Sequence, residues 1–388
     1  MKASNPKIIA MLIGILVIAT GALYLAKFLA DYSSKGSLEN VLSAAIDLFE
    51  RKQYQDARAK LDECYEKAPE GDLKNRALLF IARCYNAEGE REKALEFWGK
   101  ILENQAMRSH HAEAFYSLAA LQPLGGAPKE RQAAEEYYKK AAAAGPGSRF
   151  GDLAEIELAS LMLDRENLSG ARKVLQKFLD EKKDYPPLKK AMCKLQMKLL
   201  FSPTITEAPE SQYYVVQEGD TLDGIARRFG TIADLLKKTN NVDPRRLQIG
   251  KRLKVVTAKF LLKVSKSKNI LQLVSEDVLL NEYPVGTGKF GKTPVGKFKI
   301  TDKVKEPPWF KDGRSIPYGD PENVLGTRWM KLESIDGKTE LTGYGIHGTD
   351  DESSIGKESS EGCIRLLNRD VEELYMIVPI GTEVVIEE

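Results

Sequence analysis

Several kinds of residue are scarce in this sequence of 388 residues, and each scarcity removes a class of function. Histidine occurs three times, as the adjacent pair His110 and His111 and as His347 far downstream. Cysteine occurs four times, at Cys64, Cys84, Cys193 and Cys363, too few in so long a chain for a disulfide framework. One histidine and one cysteine in the C-terminal half supply too few ligands for a metal, and no cofactor is expected. An excess of one charge is also missing. Lys plus Arg number 58 against 56 Asp plus Glu, a net charge of +2 that argues against nucleic-acid binding. Cys64, Cys84 and Cys193 lie in helical sequence and read as small buried apolar groups. A bridge among them stays open if the chain is exported.

Long uncharged apolar stretches are absent but for one, IIAMLIGILVIATGALYLA from Ile8 to Ala26. At about 1.5 Å per residue, such a helix crosses most of a hydrocarbon core. It exceeds the apolar run of a cleaved leader, and no clean small-x-small site follows it. Residues 1–30 therefore read as a cytoplasmic tail and retained signal anchor. Lys2 and Lys7 would hold the N-terminus inside, Lys27 opposing mildly. The bulk of the chain is then expected outside the cytoplasmic membrane.

From 38 to 200 the sequence repeats itself. Val41, Ala44, Ala45 and Leu48 make one helical face; Tyr54, Ala57, Leu61 and Cys64 make a second, and Pro69 closes the unit. Leu78, Ile81, Ala82 and Tyr85 restart the pattern, followed by Ala94, Trp98 and Ile101. A looser unit has Leu118 and Ala119, then Ala134, Tyr138, Ala141 and Pro146. A fourth has Leu158, Ala159 and Met162, then Ala171, Leu175 and Phe178. Pro186 and Pro187 open a last helix that could cap the stack. Small residues at helix contacts with a proline at the exit resemble tetratricopeptide repeats, which implies an all-α solenoid. Such a solenoid either holds a protein partner or serves as a spacer. His110 and His111 read as surface or packing residues.

Residues 201–212 hold two prolines and little apolar content, and read as an exposed linker. Residues 213–257 change character. A strand at Tyr214 is followed by a helix capped by Asp220–Thr221, with Leu222, Ile225, Ala226 and Phe229 on one face. Gly230 ends it, a second helix covers Ile232 to Lys238, and Leu253 to Val256 is a closing strand. The marks V-x-x-GDTL at Val216–Leu222, I-A-x-x-F at Ile225–Phe229, Asn240–Asn241 and L-x-I-G-x-x-L at Leu247–Leu253 resemble the lysin motif (LysM), a β-α-α-β unit that binds N-acetylglucosamine-containing glycan strands. The resemblance implies a groove between Gly219, Asp220, Thr221 and Leu222 on one wall and Leu247, Gln248 and Ile249 on the other. The same residues also read as helix caps and core, a reading favoured for Leu222.

Residues 259–388 are strand-like, with three strands expected in FLLKVSKSKNILQLV, DVLLNEYPVGTG and TPVGKFKITDKV. A helix is expected at Asn368–Met376, capped by Asn368 or Asp370, and a last strand after Gly381. The informative stretch is Ile346 to Leu366, which carries His347 and Cys363. Imidazole titrates near neutrality and can take the proton of a thiol, so the pair outlines a cysteine acyl-transfer site. Around it stand V-x-T-G at Val285–Gly288, K-T-P-x-G at Lys292–Gly296, P-x-W at Pro307–Trp309, G-I-H-G-T at Gly345–Thr349, S-x-G-C-I-R at Ser360–Arg365 and G-T-x-V at Gly381–Val384. This ordered series resembles the catalytic domain of the L,D-transpeptidases, cysteine enzymes that remodel peptidoglycan.

The resemblance implies that Cys363 forms a thioester with a donor stem tetrapeptide, releasing D-alanine, and that an amine completes a 3→3 cross-link. Water or a protein amine as acceptor would make the same domain a carboxypeptidase or a protein-linking enzyme. A vestigial domain on a wall-binding scaffold is the non-catalytic alternative. His347 would be the proton acceptor and donor, its imidazole oriented by the Gly348 carbonyl. Backbone N–H groups at Gly362 and Cys363 are candidates for the oxyanion, with Ser360 ordering the loop. Arg365 either grips a substrate carboxylate or pairs with an acid such as Asp370. Tyr318, Trp329 and Tyr344 either line a substrate cleft or sit in the core. Many family members carry histidine where Glu361 stands. Glu361 is expected to face solvent, in a loop where Asp350, Asp351, Glu352 and Glu358 are opposed by Lys357. The expected architecture is thus a transmembrane helix, an all-α solenoid, a small lysin motif and a mainly-β catalytic domain.

Overall fold

Apolar side chains recurring every three or four positions from residue 36 onward each become a helix with one buried stripe. A computed structural model describes residues 36–123, 128–181, 184–205, 209–337 and 342–388. The run Ile8–Ala26, expected to be an anchor, lies outside the described residues. Among the described residues, no helix is long and apolar enough to cross a membrane. The chain divides into two compact units, the first ending at Leu158 and the second beginning at Ala159.

The helices up to that division are α1 (36–50), α2 (Tyr54–Lys67), α3 (Asp72–Glu88), α4 (Arg91–Glu103), α5 (His111–Ala120), α6 (Pro128–Ala144) and α7 (Arg149–Asp164). Helix α2 packs on α3, α3 on α4, α4 on α5, and α5 on α6. Ala57, Leu61 and Cys64, then Leu78, Ile81, Ala82 and Tyr85, then Ala94, Trp98 and Ile101 are buried, as their spacing predicts. The face of α1 differs from expectation. Leu38, Leu42 and Ala45 are buried, whereas Ala44 is exposed and Val41 and Leu48 are half-buried. The stripe starts one turn earlier at Leu38, and steps of four and three residues keep Leu42 and Ala45 above it. Arg83 grips the buried Glu113 through two hydrogen bonds of 2.6 and 2.8 Å, a two-pronged ion pair tying α3 to α5. Cys64, Cys84 and Cys193 are free and buried.

The second unit continues with α8 (Leu168–Asp180) and α9 (Pro186–Phe201), then β1 (Ser211–Val215), α10 (Leu222–Phe229), α11 (Ala233–Asn240) and β2 (Arg252–Val256). Strands β1 and β2 pair antiparallel. The Thr221 hydroxyl accepts from the Gly224 N–H at 3.0 Å and caps α10, and Gly230 ends that helix with φ +66. The segment 201–212 is not simply an exposed linker, because Pro209 is buried and β1 begins at Ser211. Lys254 on β2 is fully buried. Its ammonium donates to the carbonyls of Leu199 (2.8 Å) and Ser202 (3.1 Å) at the end of α9.

Strands β3 (Phe260–Ser265), β4 (Ile270–Ser275), β5 (Val278–Pro284), β6 (Thr287–Gly288), β7 (Gly296–Lys305), β8 (Trp309–Lys311), β9 (Arg314–Ile316), β10 (Arg328–Ser334), β11 (Gly345–Thr349), β12 (Glu358–Ser360), β13 (Ile364–Leu367) and β14 (Glu383–Glu387) follow, with α12 (Asn368–Ile377) before the last. Eight of them form one sheet in the order β13-β11-β10-β7-β14-β3-β4-β5. The β11–β13 and β14–β3 pairs are parallel and the other neighbours antiparallel. The first expected strand is in fact a hairpin. Asn269 takes φ +51, a left-handed conformation asparagine tolerates, and folds β4 back on β3. Helix α12 packs on β11, β10 and β13. Helix α9, expected to cap the helical stack, packs on β5 and α11 as well as α8 and sends Met197 and Leu200 into the catalytic core.

Candidate active site

Side chains two residues apart on a strand share a face, and neighbours in register stand side by side. In the register of the sheet, Trp329 on β10 lies opposite His347 on β11, and His347 opposite Arg365 on β13. Cys363, two residues before Arg365, enters at the head of the same strand. Three segments distant in sequence thus form one row beside the thiol. The Trp329 and His347 rings stack with centroids 5.8 Å apart and planes 25° apart. The Trp329 ring also lies over Gly345, where a Cβ would stand 2.5 Å from it, so only glycine fits there.

The imidazole is buried. Its Nδ1 lies 2.8 Å from the Gly348 carbonyl, which accepts and so places the ring proton on Nδ1. In that tautomer the lone pair is on Nε2. Asn368 holds the backbone around this carbonyl, accepting from the Thr327 N–H at 3.0 Å and donating to Asp350 at 2.6 Å. A Cβ on Gly348 would lie 2.2 Å from the Asn368 amide oxygen, and one on Gly326 2.4 Å from the Gly348 carbonyl carbon. Asn368 was expected to cap α12; it is instead the first residue of that helix, preceded by Leu367 with no side-chain cap. Its amide is engaged with Thr327 and Asp350, in front of the helix.

Burial draws the His347 pKa down to about 4, opposed by the Gly348 and Leu325 carbonyls and reinforced by the Arg365 cation. Burial pushes the Cys363 thiol up, opposed by the Gly345 N–H and Arg365. The thiol points to the Gly343 carbonyl at 3.8 Å. The resting pair is therefore neutral thiol and neutral imidazole. Alkylation of Cys363 by iodoacetamide should accelerate about tenfold per pH unit through neutrality, without levelling until beyond the ordinary thiol pKa of about 8.5. A thiolate–imidazolium pair would instead give a plateau across neutral pH, and observing one would reject this resting state.

The loop ahead of Cys363 is held by hydroxyls. Ser360 Oγ donates to the Cys363 carbonyl at 2.6 Å and accepts from the Gly362 N–H at 3.1 Å. Gly362 has φ +135, and a Cβ there would meet the Tyr344 ring at 2.8 Å. Thr293 Oγ donates to the Gly362 carbonyl at 2.9 Å and accepts from the Gly288 N–H at 2.7 Å. Of the two oxyanion candidates, the Gly362 N–H is thus occupied. Glu361 is exposed, and Lys292 pairs with it, an opposing charge that sequence reading did not assign. That pairing holds the Glu361 carboxyl below the usual carboxylate range.

Among the described residues, Arg365 has no ion-pair partner, and its Nε is buried without a hydrogen bond. Asp370 pairs with Arg369 instead, at 3.6 Å. Tyr318 lies half-exposed on the loop after β9, with no hydrogen bond or ring contact to the row among the described residues. In the smaller domain, Leu222 is core, Leu247 packs against that core, and Ile249 is exposed. Gly219 takes φ +79. The Asp220 carboxylate is occupied by the Tyr214 hydroxyl (2.6 Å) and the Gln217 N–H (2.8 Å). Gln248 lies in the loop before β2, where its carbonyl accepts from the Lys251 N–H at 3.2 Å. Thr293 and Lys292 were missed as site residues although they stand in the K-T-P-x-G stretch, whose spacing shows no partner so far downstream. No group of acids, histidines and cysteines fit to hold a metal occurs among the described residues.

A buried histidine in register with the strand that follows a cysteine on a hydroxyl-braced glycine turn is the arrangement of a cysteine acyltransferase. A family model described as the L,D-transpeptidase catalytic domain matches residues 259–386, and one for the LysM domain matches 214–256. YqjB of Bacillus subtilis, whose name assigns it provisionally to the L,D-transpeptidases, is 40% identical over 126 residues, covering 32% of this chain and 68% of that protein. YkuD of Bacillus licheniformis, named in the same way, is 35% identical over 179 residues, covering 44% of this chain and 96% of its own. Among solved structures, an L,D-transpeptidase from Mycobacterium smegmatis matches with 20% identity and a TM-score of 0.29, over 36% of this chain and 65% of that one. The chain belongs to the L,D-transpeptidase family.

Proposed function

We propose that the chain is a peptidoglycan L,D-transpeptidase in which Cys363 is the nucleophile and His347 the base. The observation that supports this reading is the His347 ring itself, held through Nδ1 by the Gly348 carbonyl, which leaves the lone pair on Nε2. Cys363 Sγ attacks the carbonyl before a terminal D-alanine while its proton passes to Nε2. The C–N bond then breaks, Nε2 returns the proton to the leaving amine of D-alanine, and a thioester remains. A second amine attacks the thioester, forms the new amide and restores the thiol. The test is to incubate the chain with a defined stem tetrapeptide, with and without an amine, and to weigh Cys363 and the products. A Cys363 adduct of the tetrapeptide less D-alanine supports the reading, and its absence rejects it. Water or a protein amine as acceptor would show as hydrolysed tripeptide or a protein conjugate.

Arg365 is assigned to a donor carboxylate, because its guanidinium makes no direct ion pair among the described residues and its buried Nε has no hydrogen-bond partner. Arg365→Gln should raise KM for a donor with a free C-terminus about 10- to 100-fold, the worth of a charge-assisted hydrogen bond. A C-terminally amidated donor should be indifferent to the change. Equal losses on both donors would reject the assignment.

We further propose that residues 213–257 hold glycan strands. The Asp220 and Thr221 side chains are engaged within the domain, so contact there falls to backbone groups, with Gln248 and Ile249 opposite. The helical array is proposed to hold a protein partner, and Ile8–Ala26 to anchor the chain with its bulk outside the cytoplasmic membrane.

A further inference from the structure

We infer that Thr293 is a positioning residue that sets the one backbone N–H available to the oxyanion, that of Cys363. The inference rests on the acyl-transfer reading above and extends it to a residue on a different strand connection. A trans peptide points its C=O and N–H in opposite directions. Fixing the Gly362 carbonyl therefore fixes the direction of the Cys363 N–H. Thr293 Oγ holds that carbonyl at 2.9 Å. The hydroxyl is itself aimed, since it accepts the Gly288 N–H at 2.7 Å and so has its proton free only for Gly362. Thr293 is almost wholly buried, so no water replaces either bond.

The remaining groups of the loop leave no alternative donor within it. Ser360 Oγ takes the Gly362 N–H and donates to the Cys363 carbonyl. The Ile364 and Arg365 amides belong to the pairings of β13 with β11 and with Gly286. The Cys363 N–H has no hydrogen-bond partner among the described residues. Gly288 presses on the same turn, where a Cβ would come within 2.8 Å of Gly362 Cα, so the bracket has no slack. Thr293 thus holds the Gly362–Cys363 peptide itself from across the fold, and Ser360 holds the peptides on either side of it. A preorganised donor acts only when charge develops on the carbonyl oxygen, so misaiming it slows acylation without weakening ground-state binding.

The test compares two reactions of the same thiol in the full chain. Acylation by the donor tetrapeptide passes through an oxyanion; alkylation by iodoacetamide is a displacement that does not. Thr293→Val keeps the shape and removes the hydroxyl. It should slow Cys363 acylation about 10- to 100-fold, less than outright deletion of an oxyanion donor. KM and the iodoacetamide rate should stay unchanged. Thr293→Ser keeps the hydroxyl and should stay within a few-fold of the parent. Acylation of Thr293→Val at the parent rate would overturn the inference. So would an equal fall in acylation and alkylation, which would make Thr293 a support of the loop in general. A parent chain that alkylates but never acylates would instead overturn the transpeptidase reading itself.

Discussion

Cys363→Ala should abolish the covalent adduct and leave D-alanine release at the level of buffer, because the stable acyl intermediate of this reading is a thioester on that residue. His347→Gln should retain the thiol and lose its base, slowing acylation by about 10²- to 10⁴-fold, the usual worth of a positioned proton acceptor. The two changes differ in how pH treats them. Removing His347 should leave a residual rate that climbs with the thiolate fraction as pH rises, since the thiol sits above its ordinary range. The parent enzyme should need no such climb, because imidazole is neutral above about 4 and takes the proton during attack. Release measured with a labelled tetrapeptide, alongside the mass of the acyl-enzyme, checks both. Parent-like release by Cys363→Ala would reject the nucleophile.

Gly362→Ala should damage acylation far more than it damages stability. The φ of +135 is a conformation L side chains rarely adopt, and the new Cβ would stand 2.8 Å from the Tyr344 ring and 3.3 Å from the Lys292 carbonyl. Backbone strain of this kind costs about 1–3 kcal/mol when the fold can hold it. Here the fold relieves it by turning the peptide that carries the Cys363 N–H. Acylation should fall about 10²- to 10³-fold, as when an oxyanion donor is removed. The melting temperature should fall by only a few degrees, by the same 1–3 kcal/mol, in a chain of this size. Acylation at the parent rate in a stable Gly362→Ala chain would show that the turn is not what aims the donor.

The charge around the loop is less one-sided than its sequence. Asp350, Asp351, Glu352, Glu358 and Glu361 crowd the stretch, yet Glu361 pairs with Lys292 and Asp350 accepts from Asn368. Both partners come from outside the stretch. The same holds between domains of the second unit. Lys254 belongs to the lysin motif but closes the C-terminal carbonyls of α9, and α9 in turn lies on β5 of the catalytic sheet. The ion pair of Lys305 with Asp234, at 2.9 Å, joins β7 to α11. The lysin motif and the catalytic domain are therefore joined by side chains as well as by the short connection from Val256 to Lys259.

Local patterns were legible because their causes are local. The helical stripes, the Thr221 cap, the Gly230 stop and the cysteine on its glycine turn each depend on residues a few positions apart. The same locality misled at α1, where a stripe can be slid by one turn without changing its period, and at β3–β4, where Asn269 hides a hairpin inside an apolar run. The sequence by itself determined that a cysteine and a histidine stand in an acyltransferase setting behind a lysin motif. Only the tertiary structure decided which groups aim them. Parallel pairing of β11 with β13 puts Arg365 beside His347, antiparallel pairing with β10 puts Trp329 on the other side, and the fold brings Thr293 under Gly362. The reason is that a hydrogen bond between segments far apart in the chain leaves no period or spacing behind, since either partner would serve equally well elsewhere until the sheet sets its register.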